Sequence, residues 1–296
     1  MTSAHWNVLS IYLGFTLVAT LLAFVRHWLR PSTSSGGIWG KYPAYIFINL
    51  CFLAACWLPL QSHALTILLA LLGMLASWEL GQMFIQFRQK ILFPMITLAL
   101  IVSADFLDPT TWFKVWLATL LLIIAINTLT VKPTEYPAHA LLMAGSVIYL
   151  PVCLTTYVWI QQNDPSGFHG VFLYLVVATN DALAQITGQL FGTQQLSPQV
   201  SPSKTIEGAI GGVLFAAAMG MALSQATGFT YLAGVVFGFI LGLAGLVGDL
   251  TASMWKRTLN IKDYSTLLGT QGGVLDRFDS LFFAAPVFYL LLVIAS

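Results

Sequence analysis

Ten apolar runs, each close to the length of a bilayer crossing, follow one another along this chain with few charges between them. A transmembrane helix needs about 20 predominantly apolar residues. On that rule the candidate spans are roughly 7–25, 43–60, 64–85, 91–107, 112–131, 137–160, 171–191, 207–228, 230–249 and 278–295. Pro94 and Asp105 make the fourth the weakest. Only 8% of the 296 residues are charged, against about 25% in a soluble domain. A surface so poor in charge must face lipid. In lipid every backbone polar group has to be satisfied within its own segment, which favours helices. The expectation is an all-α polytopic integral membrane protein of about nine to ten transmembrane helices, without a soluble domain.

The net charge of +1 gives no basic field for nucleic acid. Cys51, Cys56 and Cys153 fall inside apolar runs and read as small buried hydrophobes, not as disulfides or metal ligands. No Lys or Arg precedes Arg26, so the first run lacks the basic start of a signal peptide and reads as a retained span.

Lys and Arg placement predicts orientation. Arg26, Arg30 and Lys41, then Arg88 and Lys90, then Lys132, then Lys204, then Lys256, Arg257, Lys262 and Arg277 all fall on alternate loops. Lys114 is the exception among the twelve. The positive-inside rule makes those loops cytoplasmic and sends both termini outward. Glu79, Glu207, Asp249, Asp276 and Asp279 then gather toward the cytoplasmic side, with Asp181 near the middle of its span. An Asp at a helix centre costs about 2.5–3.5 kcal/mol on insertion scales. A group of carboxylates there calls for a cation or a water-filled cavity.

The polar exceptions are few. Asp181, Gln185 and Gln189 recur every fourth residue and share one helix face, as an interhelical hydrogen-bond seam or a site wall. The segment 196–208, LSPQVSPSKTIEG, reads as a turn-rich connector in which Ser203 or Thr205 caps the next helix. Lys204 stands beside the free N–H groups of that helix, a plausible phosphate position. Gly208, Gly211 and Gly212 follow and suit close helix packing. The stretch from Ser253 to Asp279 holds Lys256, Arg257, Lys262 and Arg277 together with Asp263, Asp276 and Asp279. Its first part, 251–262, reads as an amphipathic segment with Met254, Trp255 and Leu259 among the headgroups. Gly272-Gly273 supplies flexible backbone ahead of two acids spaced i, i+3. Two acids with an Arg at a membrane surface suggest a divalent cation with a phosphate ligand, since Mg²⁺ commonly takes one or two carboxylates plus phosphate oxygens.

At these residues the chain resembles the CTP-dependent phosphatidate cytidylyltransferases. That family's signature runs Ser, two residues, Lys-Arg, four residues, Lys-Asp and a small residue, later His-Gly-Gly, two residues, Asp-Arg, one residue and Asp. It aligns here as Ser253, Lys256-Arg257, Lys262-Asp263, Ser265, Gln271-Gly272-Gly273, Asp276-Arg277 and Asp279, with every gap kept. Ser201-Pro202-Ser203-Lys204-Thr205-Ile206-Glu207-Gly208 is similar to the family's Ser-Pro-x-Lys-Thr-x-Glu-Gly loop, and Asp181, Ala184 and Gly188 to its Asp-x-x-Ala-x-x-x-Gly helix. Together these cover roughly 178–279. Four positions depart: Gln271 stands where the family has His, Trp255 for an aliphatic residue, Ile206 for Trp and Gln185 for Tyr. A Gln can hydrogen-bond but carries neither a proton nor a positive charge near neutrality.

The resemblance implies formation of CDP-diacylglycerol and pyrophosphate from CTP and phosphatidic acid at the bilayer of a bacterial inner-membrane type of protein. It implies Mg²⁺ held at Asp249 and Asp276, with Asp181 and Asp279 as further candidates, and leaves open a monovalent cation and a homodimer. Lys204, Lys256, Arg257 and Arg277 become the candidate phosphate-binding cations. Ser201, Ser203, Lys204, Thr205, Glu207, Ser253, Lys262, Asp263, Gln271, Gly272 and Gly273 become the candidate substrate contacts. On this division residues 166–296 form a catalytic transmembrane domain, and residues 1–165 supply helices without an assigned role. Two alternatives stand beside it: a CTP-dependent enzyme for a polyprenyl or other lipid phosphate, and an ion-coupled transporter. The latter predicts inverted repeats and helices broken at the acids.

Overall fold

The computed structural model describes residues 3–29, 50–56, 63–82, 87–130, 140, 143–164, 166–265, 267 and 272–295. Nine long helices carry most of them: α1 (Ser3–Leu29), α2 (Ala64–Gln82), α3 (Phe87–Ser103), α4 (Pro109–Thr130), α5 (Leu150–Asn163), α6 (Phe168–Phe191), α7 (Ile206–Thr227), α8 (Tyr231–Thr258) and α9 (Leu275–Ala295). Residues 50–56 are helical too, and a π-helical turn at Ala144–Tyr149 leads into α5. Eight helices among the described residues are long and apolar enough to cross a membrane, and Lys90–Ser103 is a shorter apolar one. The protein is an all-α integral membrane protein. Most of the 43–60 span lies outside the described residues, as do Arg30, Lys41, Lys132 and Gln271.

Three expectations change. First, α8 does not stop near residue 249 but continues to Thr258. Its 28 residues make about 42 Å of helix at 1.5 Å each, more than the ~30 Å hydrocarbon core. Residues 251–258 thus continue the helix of the span, and Trp255 packs edge-on against Tyr149 at 5.3 Å. Second, the 196–208 connector forms an antiparallel hairpin, β1 (Gln195–Ser197) with β2 (Ser201–Thr205). A residue before proline is pushed toward extended backbone, which suits a strand at Ser201. Thr205, not Ser203, caps α7, its Oγ1 accepting from Gly208 N at 3.1 Å. Third, Cys56 and Cys153 are buried as expected, but Cys51 is exposed, and all three are free thiols.

Helix α6 is the axis of the C-terminal half. It is buried along most of its length and packs against α1, α7, α8 and α9. Lipid offers no hydrophobic drive between helices, so association depends on close contact and hydrogen bonds. The glycines provide that closeness. A methyl on Gly212 would sit 2.8 Å from the Asn180 carbonyl oxygen, and one on Gly208 2.8 Å from that of Ala184. Larger residues there would lever α7 off α6.

The bundle has two polar ends. At one, Asp105 accepts from Thr66 Oγ1 at 2.9 Å and from Gln162 Nε2 at 3.1 Å, and pairs with His63 Nδ1 at 2.9 Å. This ties together the start of α2, the turn after α3 and the end of α5. Pro94 is accommodated inside α3, and Asp105 falls just beyond its end. At the other end lie the hairpin, the end of α8 and the start of α9.

Candidate active site

A cavity of about 360 Å³ opens where the end of α6, β2, the start of α7, the late part of α8 and the first turns of α9 converge. That volume is within the usual range for a small-ligand site. The Asp181, Gln185 and Gln189 stripe forms one wall. Ser203, Lys204 and Thr205 enter from the hairpin, Asp249 and Lys256 from α8, and Asp276, Arg277 and Asp279 from α9. Residues far apart in the chain thus meet because three helices present their polar ends together.

Each acid has a distinct environment. Lys204 Nζ pairs with Asp249 Oδ2, and Ser253 Oγ donates to Asp249 Oδ1 at 3.4 Å. Lys256 Nζ lies 2.7 Å from Asp276 Oδ1, with side chains only 13% and 6% exposed. Asp276 Oδ2 accepts from Tyr264 N at 2.8 Å and Gly273 N at 2.9 Å. The bond back to Gly273 resembles the reciprocal arm of a capping box. Asp279 is buried and accepts from Ser280 N at 2.8 Å. Asp181 accepts from Asn180 Nδ2 at 3.2 Å. Asp181, Asp249 and Asp279 are close enough to repel one another.

The cations differ as well. Lys256 also sits 5.5 Å from the centre of the Tyr264 ring, within cation–π range. Burial, then the negative charges of Asp279, Asp276 and Glu79, push the Tyr264 phenol far above its ordinary range. It stays protonated and donates to Ala252 O at 3.0 Å. Arg277 Nε is buried without a hydrogen-bond partner among the described residues. An unmet buried donor costs about 1–3 kcal/mol, and the Arg277 side chain also lines the cavity.

Other candidates stand outside the cavity. Arg257 is exposed, its Nε donating to Val200 O at 3.1 Å, which ties the hairpin tip to α8. Glu207 accepts from Thr193 Oγ1 and from Gln194 N at 3.3 Å, bracing the entry to the hairpin. Ser201 lies on β2 away from the cavity lining, Ser253 supports Asp249, and Lys262 and Asp263 are exposed. Gly272 adopts φ 82°, a left-handed conformation suited to glycine, and Gly273 is buried. Gln271 falls outside the described residues.

Two cavity residues escaped the sequence reading, and Glu79, conspicuous there as an acid near the cytoplasmic side, was given no place in the site. Asn180 and Ser280 line the cavity, each adjacent in sequence to a predicted acid. Glu79 is fully buried and bonds to the backbone before α9. Its signal was an ionisable residue inside an apolar run.

Comparison with known proteins bears on the whole arrangement. The model of the cytidylyltransferase family matches residues 42–295, which includes every element of the cavity.

The chain belongs to the cytidylyltransferase family.

Among curated members of the family, it is 37% identical over 150 residues to the phosphatidate cytidylyltransferase of Aquifex aeolicus (strain VF5), covering 49% of this chain and 55% of that protein. It is 33% identical over 154 residues to that of Bacillus subtilis (strain 168), covering 51% and 57%. With that of Rickettsia bellii (strain RML369-C) it shares 27% identity over 206 residues, covering 67% and 89%. The chain thus spans little more than half the length of the first two relatives. Helices α6 and α8 run unbroken through Asp181 and Asp249, unlike the broken helices expected of a transporter of this class.

Proposed function

We propose that this protein is a phosphatidate cytidylyltransferase, converting CTP and phosphatidic acid to CDP-diacylglycerol and pyrophosphate at the cytoplasmic membrane face. The observation that carries this is the cavity lined by the Lys204–Asp249 and Lys256–Asp276 pairs together with Arg277, whose buried Nε has no hydrogen-bond partner among the described residues. Family membership and the curated relatives' names support it.

A phosphate oxygen of phosphatidic acid attacks the α-phosphorus of CTP, and the bond from that phosphorus to the bridging oxygen breaks as pyrophosphate leaves. Both reactants are anions, so positioning and charge neutralisation carry the catalysis. The attacking phosphate already bears negative charge, its second pKa being about 6, and needs no general base. Lys204, Lys256 and Arg277 bind phosphate oxygens. Arg277 lines the cavity and brings a permanent positive charge to it. The two lysines exchange a carboxylate for phosphate when substrate arrives.

The cavity wall holds four carboxylates and three cations among the described residues, one more acid than base. Such a lining would repel two polyanions. A divalent cation resolves the mismatch, so the donor chemistry fits Mg²⁺, although the described residues contain no cluster of three or more metal-ligating side chains. Mg²⁺ usually takes only one or two carboxylates and completes its shell with phosphate and water. Asp249 would hold it, and Asp181 and Asp279 line the same cavity. Asp276 retains acceptor capacity at Oδ1, which has one protein partner. When bound, Mg²⁺ would neutralise charge developing on the phosphates.

The test is direct. Purified protein is given CTP, Mg²⁺ and phosphatidic acid, and pyrophosphate and CDP-lipid are followed. Formation of both products is expected. No product from phosphatidic acid, with turnover of a polyprenyl phosphate, would move the assignment to another lipid phosphate.

A further inference from the structure

The stretch carrying Asp276 and Arg277 is held by a side chain from the other half of the molecule. Glu79, near the end of α2, is fully buried. Its Oε1 accepts from Val274 N at 2.8 Å and Ser265 Oγ at 2.6 Å, and its Oε2 accepts from Leu275 N at 2.9 Å. The first N–H groups of a helix have no partner within it. Here two of them, at the start of α9, find theirs 195 and 196 residues away in the chain. Both backbone partners can only donate, and the hydroxyl is able to, so a carboxylate, which only accepts, fits the pocket. No Lys or Arg among the described residues pairs with Glu79. Its charge is met by N–H dipoles at a helix N-terminus, where a negative charge is favoured.

Glycine 273 shows how close this contact is. A methyl group there would lie 2.5 Å from both Glu79 oxygens. The Gly273 N–H meanwhile donates to Asp276 Oδ2, and Lys256 holds Oδ1. The backbone at 273–275 is thus clamped between Glu79 on one side and Asp276 on the other.

We infer that Glu79 is a positioning residue for the active site: it caps α9 from α2 and sets where Asp276 and Arg277 stand in the cavity. This rests on the cytidylyltransferase reading for its catalytic consequence, but not for its structural one. It gives the N-terminal helices a task in the site.

The full chain is tested in detergent as Glu79→Gln, Glu79→Asp and Gly273→Ala. Glu79→Gln turns an acceptor oxygen into an NH₂ that faces N–H or O–H donors. The expected result is about tenfold faster hydrogen exchange at the Val274 and Leu275 amides, with exchange in α6 and α7 unchanged. At saturating CTP, kcat falls about 10- to 100-fold, as a misplacement near 1 Å does, while the melting temperature moves little. Gly273→Ala reproduces the loss from the opposite side of the contact. Combining it with Glu79→Gln costs little more than either alone, because both break one interaction. Glu79→Asp, which keeps the charge and withdraws it by one methylene, recovers activity in the Gly273→Ala background. Wild-type exchange at 274–275 in Glu79→Gln would overturn the inference. So would activity that falls only in step with the folded fraction. If the wild type releases no pyrophosphate, the functional reading fails, and the exchange measurement still decides the role of Glu79.

Discussion

Lys256 on the last turns of α8 and Asp276 on the first turn of α9 meet at 2.7 Å, both largely shielded from solvent. Breaking one member of a buried pair costs about 3 kcal/mol or more, because the other charge is stranded. Asp276→Asn is therefore expected to destabilise the protein and to abolish turnover. The double variant Lys256→Met with Asp276→Asn should regain much of the stability and none of the activity. Chemical or thermal unfolding set beside pyrophosphate release checks both halves of this cycle.

Arg277 makes the opposite prediction. Its buried Nε has no hydrogen-bond partner among the described residues. Removing an unmet donor spares about 1–3 kcal/mol of desolvation. Arg277→Met should melt no lower than wild type while losing activity by about 100-fold or more, the loss that follows removal of one charge-stabilising donor. A variant that lost both together would show that Arg277 has a structural partner.

The proposed role of Asp249 as a metal ligand makes a separate prediction. Chelation should stop turnover and added Mg²⁺ should restore it. In Asp249→Asn the half-saturating Mg²⁺ concentration should rise by about tenfold or more, since each carboxylate is a large share of a one- or two-carboxylate site. A Mg²⁺ titration of pyrophosphate release measures this. An unchanged titration curve would remove Asp249 from the metal site.

Thr205 links the hairpin to α7. Its hydroxyl caps the helix at Gly208 N, and the next residue back is Lys204. Thr205→Ala should cost about 1 kcal/mol of stability and raise KM severalfold by loosening Lys204, whereas Thr205→Ser should behave as wild type. Denaturation midpoints and steady-state kinetics separate the two effects.

Much of the lining of the candidate site could be read before any fold was known. Lys204, Asp249, Lys256, Asp276, Arg277, Asp181 and Asp279 were each conspicuous because a charge in an apolar chain is expensive, and all seven line one cavity. Arg257, Lys262 and Asp263 were as conspicuous, yet they lie outside it. Motif spacing places a residue on an element but does not say which way that element turns it. Helix α8 running on to Thr258 turned Lys256 inward and Arg257 outward.

By itself, the sequence determined that this chain is a bundle of membrane helices with its charges gathered at helix ends. Hydropathy and the cost of charge in lipid are local properties, legible residue by residue. Only the tertiary structure decided which donors each charge would meet. Glu79 reaches Val274 across 195 residues, and Asp276 is shared between Lys256, Tyr264 and Gly273. Those bonds depend on how α2, α8 and α9 pack, with glycine letting the backbone approach a carboxylate. No pattern along the chain encodes that approach until the helices are together.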